Sequence, residues 1–299
     1  MGTTVPFVSS FLMKTVALVT HSASSGLTSS DALLVAPLIA EGFDPHAVAW
    51  DDKHVDWKKF DHIILRSCWN YHTKYNEFLE WLSFLESTHV NVLNPLPVMR
   101  WNSHKEYLKD LAQQGVSTIP TKWIKKGTAV NLQTASGETG WNNLVVKPCI
   151  GASSHDVFLS RHNEHKKKQS KYDMLTRKTD TMIQPLMSEI MTEGEYSFVF
   201  IGRSYSHTVL KFPEKGDFRS DHQFHKAESR VQPDARKVRE AENVIKHIPS
   251  PLLYARVDGI FVNGSFMLLE LELIEPHLFF DLDKESPMRF ARELKKLSR

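Results

Sequence analysis

The segment that most constrains the fold is an apolar stretch near the C-terminus, RVDGIFVNGSFMLLELELIEP, which carries closely spaced carboxylates. Asn263 and Gly264 form a dipeptide that favours a tight turn between antiparallel strands. Because side chains alternate along a strand, Glu270 and Glu272 share one face, and Asp258 falls roughly opposite Glu270. The segment therefore predicts a β-hairpin on which three acidic side chains converge.

Three neighbouring carboxylates repel one another unless a cation lies among them, and carboxylate oxygens are preferred ligands of hard divalent cations. The alternative is a hairpin with one solvated acidic face. That alternative explains poorly why Glu-Leu-Glu lies between the apolar pairs LL and LI. We therefore expect Asp258, Glu270 and Glu272 to hold a metal ion.

The composition is that of a globular protein and names no function. Hydrophobic residues make up 41% of the 299 residues, and 37 basic side chains nearly balance 35 acidic ones. This balance gives no strong field for nucleic acid, and no apolar run reaches the roughly 20 residues of a membrane-spanning helix. Cys68 and Cys149 lack zinc or disulfide spacing, as suits a reducing compartment. We expect a soluble, cytoplasmic protein with no nucleic-acid and no membrane partner.

Strand and helix periodicities alternate at the start of the chain, and this predicts an α/β lobe over residues 13–100 behind a short extension at 1–12. Pro95 and Pro97 are expected to break regular structure and mark its end. The strand-like runs are 13–20, 45–50 and 61–66, and the helical ones are 29–41 and 75–86.

A mixed order of strands and helices follows, which predicts an α+β domain over residues 101–299 with mainly antiparallel strands. The run HKKKQSK within it is expected to be a solvated face. The predicted strands are 144–147, 156–159, 181–184, 196–201, 206–210, 256–262 and 265–273, and the predicted helices are 104–114 and 234–247.

Two further segments suggest nucleotide binding. Lys147 ends the strand LVVK before the small-residue loop CIGASSH, where an ammonium and backbone amides can hold phosphate. Gln184 and Pro185 end another strand and leave backbone groups for an adenine edge, while Glu195 could accept hydrogen bonds from ribose. The alternatives are a solvated lysine at a strand end and an ordinary connection between lobes.

The loop SCWNYH after the strand ending in Arg66 suggests an acceptor side of the cleft. A charge that ends an apolar strand would suit a substrate carboxylate, so we expect Arg66 to bind substrate. Trp69 and Tyr71 are explained equally well as substrate contacts and as packed aromatic side chains.

In their order along the chain these segments resemble the ATP-grasp superfamily, through Lys105, VVKP, IQPLM, EGEYS, HTVLKFP, RVDG and LLELELIEP. More narrowly, LRSCWNYH, RWNSHKEYL, GVSTIPT, GEYSFVF, SHTVLKFPEKGDFR and ELELIEPHLFF are similar to the branch that contains O-ureido-serine cyclo-ligase of cycloserine biosynthesis, a relative of bacterial glutathione synthetase. The resemblance covers nearly the whole chain.

The resemblance implies an α/β N-terminal lobe plus an α+β ATP-grasp domain, with the nucleotide held between two mixed or antiparallel sheets. Residues 101–186 would form the first nucleotide-binding subdomain. Residues 187–299 would form the second, which carries the metal site.

The resemblance also implies a role for each matching residue. Phosphate contacts would come from Lys105, Lys147 and the loop residues Gly151, Ser153 and Ser154. Adenine and ribose contacts would come from Gln184, Leu186, Met187 and Glu195. Charge on the γ-phosphate or the acyl-phosphate would be met by Lys211, Arg219 and Arg256. Asp258, Glu270 and Glu272 would ligate Mg²⁺, or Mn²⁺ in its place, with Glu272 where many relatives have Asn.

The implied reaction joins a small-molecule carboxylate to an amine through an acyl-phosphate, with ADP and phosphate released. Amino acids are candidate substrates, ring closure within one molecule is an alternative to joining two, and a homo-oligomer is compatible with the sequence.

One segment departs from the family pattern, because SDHQFHKA follows Arg219 where relatives commonly have a glycine pair. Two alternatives therefore stay open: a phosphotransferase with a hydroxyl acceptor, and a nucleotide-binding regulatory protein without turnover. His222 and His225 in this segment could be general bases or a second metal pair, although surface histidines are the simpler interpretation.

Overall fold

Three sheets, each built from a different stretch of the sequence, organise the chain. The computed structural model describes residues 13–220 and 225–299. The predicted extension at 1–12 lies outside the described residues. No helix of the part that is described is both long and apolar enough to cross a membrane.

The first sheet is parallel and has the order β2-β1-β3-β4. Val16 to Val19 of β1 are fully buried, as expected for a parallel strand that is covered on both faces. The elements of this region are β1 (Lys14–Thr20), α1 (Val35–Ala40), β2 (Phe43–Ala49), β3 (His62–Leu65), α2 (Tyr75–Thr88), β4 (Val92–Leu93) and α3 (Leu96–Asn102). The α/β lobe predicted from periodicity is thus confirmed.

Two predicted boundaries in this lobe are wrong. The helix predicted at 29–41 starts later, with a 3₁₀ turn at Asp31–Leu34, because the Thr28 hydroxyl accepts a hydrogen bond from the Asp31 N–H (3.0 Å) and ends the preceding loop. Pro95 and Pro97 do not break structure but stand at the start of α3. The first turn of a helix tolerates proline because its N–H groups have no partner within the helix.

The second sheet is antiparallel and has the order β5-β8-β6-β7. Its region contains α4 (Tyr107–Gln113), β5 (Lys122–Ile124), α5 (Leu132–Thr139), β6 (Leu144–Pro148), β7 (Phe158–Ser160), α6 (His165–Thr176) and β8 (Thr181–Pro185). The run HKKKQSK is the first half of α6, whose Tyr172 and Leu175 are buried. We did not predict α5, although Asn131 caps its start and Gly140 its end.

The third sheet is antiparallel and has the order β11-β10-β9-β12-β13. Its region contains α7 (Glu189–Thr192), β9 (Glu195–Ile201), β10 (Ser204–Pro213), β11 (His225–Val231), α8 (Ala235–Lys246), β12 (Tyr254–Val262), β13 (Ser265–Glu272) and α9 (Ser286–Leu297). The predicted hairpin is β12 and β13, and the predicted antiparallel arrangement is confirmed. The periodicity of α9 and the strand β11 were not predicted.

The first and third sheets share a hydrophobic core. Val16 and Leu18 of β1 pack in one cluster with Val199 of β9 and with Phe290 and Leu294 of α9. Asn94 reinforces this junction, since its side-chain nitrogen donates to the Tyr254 and Leu273 carbonyls (2.9 and 2.8 Å) and its oxygen accepts from the Leu253 N–H (2.7 Å). The third sheet is therefore firmly attached to the first lobe.

Candidate active site

A cleft with a cavity of about 450 Å³ is lined by residues from the N-terminal lobe and from the second and third sheets. All predicted site residues except Arg66 line it. They are Trp69, Tyr71, Lys105, Lys147, Gly151, Ser153, Ser154, Gln184, Leu186, Met187, Glu195, Lys211, Arg219, Arg256, Asp258, Glu270 and Glu272.

The β12–β13 hairpin brings acidic side chains to this cleft. Asp258 pairs with Glu270, and Arg256 pairs with Glu272. The register shifts after Asp258, where Gly259 lets Phe266 of the partner strand pack so closely that a Cβ would lie 2.3 Å from its ring. The predicted position of Asp258 opposite Glu270 is confirmed.

Protein cations lie beside all three of these carboxylates. Arg256 donates to Asp258 (2.8 Å) and also contacts Glu272, while Lys105 contacts Glu270. Their oxygens therefore do not form a preformed ligand cage. Among the residues that the structure describes, the one group of three metal-ligating side chains with atoms within 4.8 Å is His104, Glu106 and Asp180.

That group is already bridged by a protein cation. The Lys125 ammonium lies 2.8 Å from a Glu106 oxygen and 2.9 Å from an Asp180 oxygen. It therefore supplies one positive charge between the two carboxylates.

The hairpin carboxylates titrate differently because their neighbours differ. Burial raises the pKa of Glu272 well above its usual range, and Asp258 and Glu270 add to the effect against the opposing charge of Arg256. Burial also acts to raise the pKa of Asp258, but Arg256, Lys211 and the Ser197 hydroxyl (2.6 Å) lower it to about 2. The cluster thus contains three acidic side chains but, among the described residues, only two cations in direct contact with them, Arg256 and Lys105.

Lys147 is a cation in the same cleft. No carboxylate of residues 13–220 or 225–299 lies within 4.0 Å of its ammonium. Burial lowers the pKa of Lys147, against the attraction of Glu270. An ammonium of this kind gains most from an anionic ligand.

Two other predicted cations are paired within the protein. Lys211 donates to Glu195 (2.6 Å), which also contacts the Ser220 hydroxyl. Burial alone would lower the pKa of Lys211, yet Glu195 and Asp258 raise it. Arg219 forms two hydrogen bonds to the Asp217 carboxylate (3.0 and 2.7 Å).

The strand end predicted to face adenine is partly occupied by protein. The Leu186 N–H donates to the Asn143 carbonyl (3.0 Å), so this backbone donor is not free as expected. The Gln184 side chain donates to the Thr121 hydroxyl (2.9 Å). Leu186 and Met187 both line the cleft.

The loop after β6 covers one side of the cleft. Ser153 and Ser154 have positive φ angles of 51° and 52°, a conformation that non-glycine residues seldom adopt. At its end the His155 ring lies 5.3 Å from the His72 ring of the N-terminal lobe. The loop is therefore in contact with the opposite lobe.

Arg66 is not a cleft residue, so its predicted role is wrong. Its side chain is fully buried, and its guanidinium bonds to Asp31 (3.0 Å) and to the Pro276 carbonyl (2.8 Å) while packing over the Tyr254 ring. The charge that ends β3 is thus neutralised by a carboxylate 35 residues earlier. Its contribution is to hold the lobes together.

Trp69 and Tyr71 line the cleft but also pack. The Trp69 indole N–H donates to the Glu275 carbonyl (3.1 Å). The Tyr71 ring packs against the Phe78 ring, with 4.7 Å between the ring centroids. The cleft residues that sequence reasoning missed include Glu275, His277 and Asp281, which follow β13. Their only sequence signal was their position directly after the acidic strand.

His222, and most of the segment that departs from the family pattern, lie outside the described residues. The predictions for that segment stay open.

Comparison with known proteins gives the relatives of this chain. Residues 16–94 match the family described as the N-terminal domain of the D-cycloserine synthetase DcsG. The cycloserine biosynthesis protein DcsG of Streptomyces lavendulae is 29% identical over 297 residues, which cover 94% of this chain and 98% of that protein.

Solved structures agree. The crystal structure of the D-cycloserine synthetase DcsG superposes with a TM-score of 0.84 at 26% identity, covering 95% of this chain and all of that one. A D-alanine–D-alanine ligase from Bacillus anthracis complexed with ATP superposes with a TM-score of 0.68 at 15% identity, covering 95% of this chain and 97% of that one. At that identity the likeness shows the fold alone. By its fold and these relatives, the chain is similar to DcsG over nearly its whole length and has the fold of ATP-grasp ligases.

Proposed function

We propose that this ligase joins a carboxylate to an amine, between two molecules or within one, through an acyl-phosphate with release of ADP and phosphate. The observation that carries the proposal is the charge arrangement of the cleft. Five cationic side chains line the same cavity as the acidic hairpin residues: Lys105, Lys147, Lys211, Arg219 and Arg256. Phosphoryl transfer needs positioned positive charge of this kind far more than it needs a protein nucleophile.

For the nucleotide, we propose that Lys105 and Lys147 bind phosphates under the loop with Gly151, Ser153 and Ser154. Gln184, Leu186 and Met187 would border adenine, Leu186 through its carbonyl. Glu195 would accept hydrogen bonds from the ribose hydroxyls, which requires its hydrogen bond with Lys211 to break. The limits 101–186 and 187–299 of the two subdomains are proposed on the same basis.

Magnesium fits the donor set of the hairpin. Asp258, Glu270 and Glu272 offer the oxygen ligands that Mg²⁺ prefers, and Mn²⁺ could substitute. When bound, the ion would neutralise phosphate charge. The raised pKa of Glu272 supports this assignment, since buried acid groups that crowd one another favour a nearby cation.

We propose that nucleotide binding exchanges partners at this site. In the structure Lys105 contacts Glu270, and Arg256 contacts both Asp258 and Glu272. Phosphate would attract Lys105, and Glu270 would be released to serve as a ligand. The protein cations thus hold the acidic cluster together until the nucleotide arrives.

In the reaction, an oxygen of the substrate carboxylate would attack the γ-phosphorus, and ADP would leave. Lys211, Arg219 and Arg256 would meet the charge on the transferred phosphoryl group. The amine nitrogen would then attack the acyl carbon, lose a proton, and displace phosphate. Amino acids are the candidate substrates. We place the enzyme in the cytoplasm because both of its cysteines are free and buried.

Lys147 provides the first test. Because it has no carboxylate partner in the described structure, Lys147→Met should weaken ATP binding by about 10- to 100-fold, the worth of a charged hydrogen bond. Titration calorimetry with ATP and Mg²⁺ measures this. Lys167→Met, at an exposed position of α6, is the control. Unchanged affinity in Lys147→Met would contradict the assigned phosphate site.

A further inference from the structure

Glu275 is a buried acidic residue of the cleft that the reaction outlined above does not use. Its exposed fraction is only 8%, and it lines the cavity directly after β13. Within the described part of the chain its carboxylate has no hydrogen-bond or ion-pair partner. A buried, unpaired carboxylate is costly, so such a group is kept where a ligand supplies the partner.

The neighbouring protein cations are committed elsewhere. Arg66 is held by Asp31 at 3.0 Å, and Lys105 contacts Glu270. His277 supplies no charge near neutral pH, because burial and then Arg256 lower its pKa to about 4. Among the described residues, Glu275 therefore has no ion-pair partner, and Lys105, Arg256 and Arg66 act on its charge only from a distance.

Two acidic residues line the cleft from the segment that follows β13. They are Glu275 and Asp281, whereas Lys147, Lys211 and Arg256, which are proposed to meet phosphate, lie on strands of the second and third sheets. Asp281 accepts a hydrogen bond from the Ser30 hydroxyl (3.0 Å) of the N-terminal lobe. The part of the cleft wall formed by this segment therefore carries two acidic residues and suits a cationic group of a substrate.

Two aromatic side chains line the same cavity as Glu275. Trp69 is fixed by its hydrogen bond to the Glu275 carbonyl (3.1 Å), and Tyr71 lines the same cavity. Aromatic rings and a carboxylate together form a common environment for an ammonium group.

We propose that Glu275 binds the ammonium group of an amino-acid-like substrate and so determines the specificity of the cleft for that substrate. The proposal rests on the ligase function proposed above. The pKa of Glu275 supports it: burial, with Glu270, raises it to about 8, and a bound ammonium would keep the carboxylate ionised.

The test compares matched pairs of ligands that differ only in the charged group. O-ureido-serine, serine and alanine, each as both enantiomers, are titrated by calorimetry into protein saturated with ADP and Mg²⁺. The 2-hydroxy acid counterpart of each is titrated in the same way. The proteins are wild type, Glu275→Gln, Glu275→Asp and, as a control on the surface, Glu86→Gln.

We expect at least one amino acid to bind wild type about 10-fold or more tighter than its 2-hydroxy counterpart. Glu275→Gln should abolish that preference without changing the affinity for ADP, whereas Glu86→Gln should keep it. Glu275→Asp retains the charge, so it should keep a preference at reduced affinity and serves if the Gln variant does not fold.

Three results would overturn the proposal: equal binding of both members of every pair to wild type, no binding of any amino acid, or a preference that survives in Glu275→Gln. The ADP titration separates these from a failure of the ligase function. Loss of nucleotide binding in wild type would contradict the proposed function itself, whatever Glu275 does.

Discussion

At the scale of single residues, the cleft depends on how two protein cations are shared among four acids. Arg256 contacts Asp258 and Glu272, Lys105 contacts Glu270, and Glu275 has neither. The effect of a substitution on stability therefore depends on the charge that is removed. Loss of an acidic side chain reduces the repulsion among the acids, whereas loss of a cation increases that repulsion.

Glu272→Gln should therefore keep or raise the melting temperature without nucleotide while abolishing Mg²⁺-dependent turnover. Arg256→Met is the matched opposite, and it should lower the melting temperature because it leaves Asp258 and Glu272 buried without their cation. Thermal melts with and without Mg²⁺ and ATP measure both. A Glu272→Gln protein that is less stable yet still active would mean that Glu272 is only a structural partner of Arg256.

Glu275 should make stability depend on pH. Its pKa rises from 4.5 to about 8 on folding, so the folded state binds the proton more tightly than the unfolded state does. Its favourable contribution is complete below pH 4.5 and is lost as pH rises to about 8. Denaturant melts across this window should show a steeper decline with pH for wild type than for Glu275→Gln, and parallel curves would contradict the burial of an unpaired acid.

At the scale of elements, the β12–β13 hairpin fixes the acidic cluster through a close contact between its strands. A Cβ on Gly259 would lie 2.3 Å from the Phe266 ring and 2.6 Å from the Met267 carbonyl oxygen. The ring and the backbone of the partner strand cannot both withdraw without changing the register that pairs Asp258 with Glu270.

Gly259→Ala should accordingly lower the free energy of unfolding by about 1 to 3 kcal/mol, the usual cost of overpacking. Gly137→Ala is the control, because it lies inside α5 with nothing within 4 Å of an added Cβ. That change should be neutral or stabilise by about 0.5 to 1 kcal/mol. Equal melting curves for the two variants would show that the hairpin contact is not tight.

Contacts between residues close in the sequence could be predicted, whereas contacts between residues far apart in the sequence could not. The pairing of Asp258 with Glu270 was predictable because a local turn sets it. The partners of Arg66 and Lys105 were not, since Asp31 and Glu270 lie 35 and 165 residues away in the chain. Glu275 escaped notice because it follows the strand and belongs to no periodic pattern.

At the scale of the whole molecule, the N-terminal lobe and the third sheet form one core, and the second sheet faces them across the cleft. The Tyr254 hydroxyl shows the connection, since it lies 2.8 Å from both the Leu65 and the Ile274 carbonyl oxygens. The cavity is lined by residues of all these parts, so a substrate inside it can contact each of them. This geometry supports a reaction in which the phosphate and the acceptor are brought together inside one cavity.

The central claim is that ATP is cleaved between its β- and γ-phosphates to activate a carboxylate. The direct measurement is chromatography and mass spectrometry of the products formed from ATP, Mg²⁺ and a panel of amino acids that includes O-ureido-serine. We predict one ADP and one phosphate for each amide-type bond, with a product lighter than its substrates by one water. AMP with pyrophosphate, or a phosphate that stays on the substrate, would contradict the account.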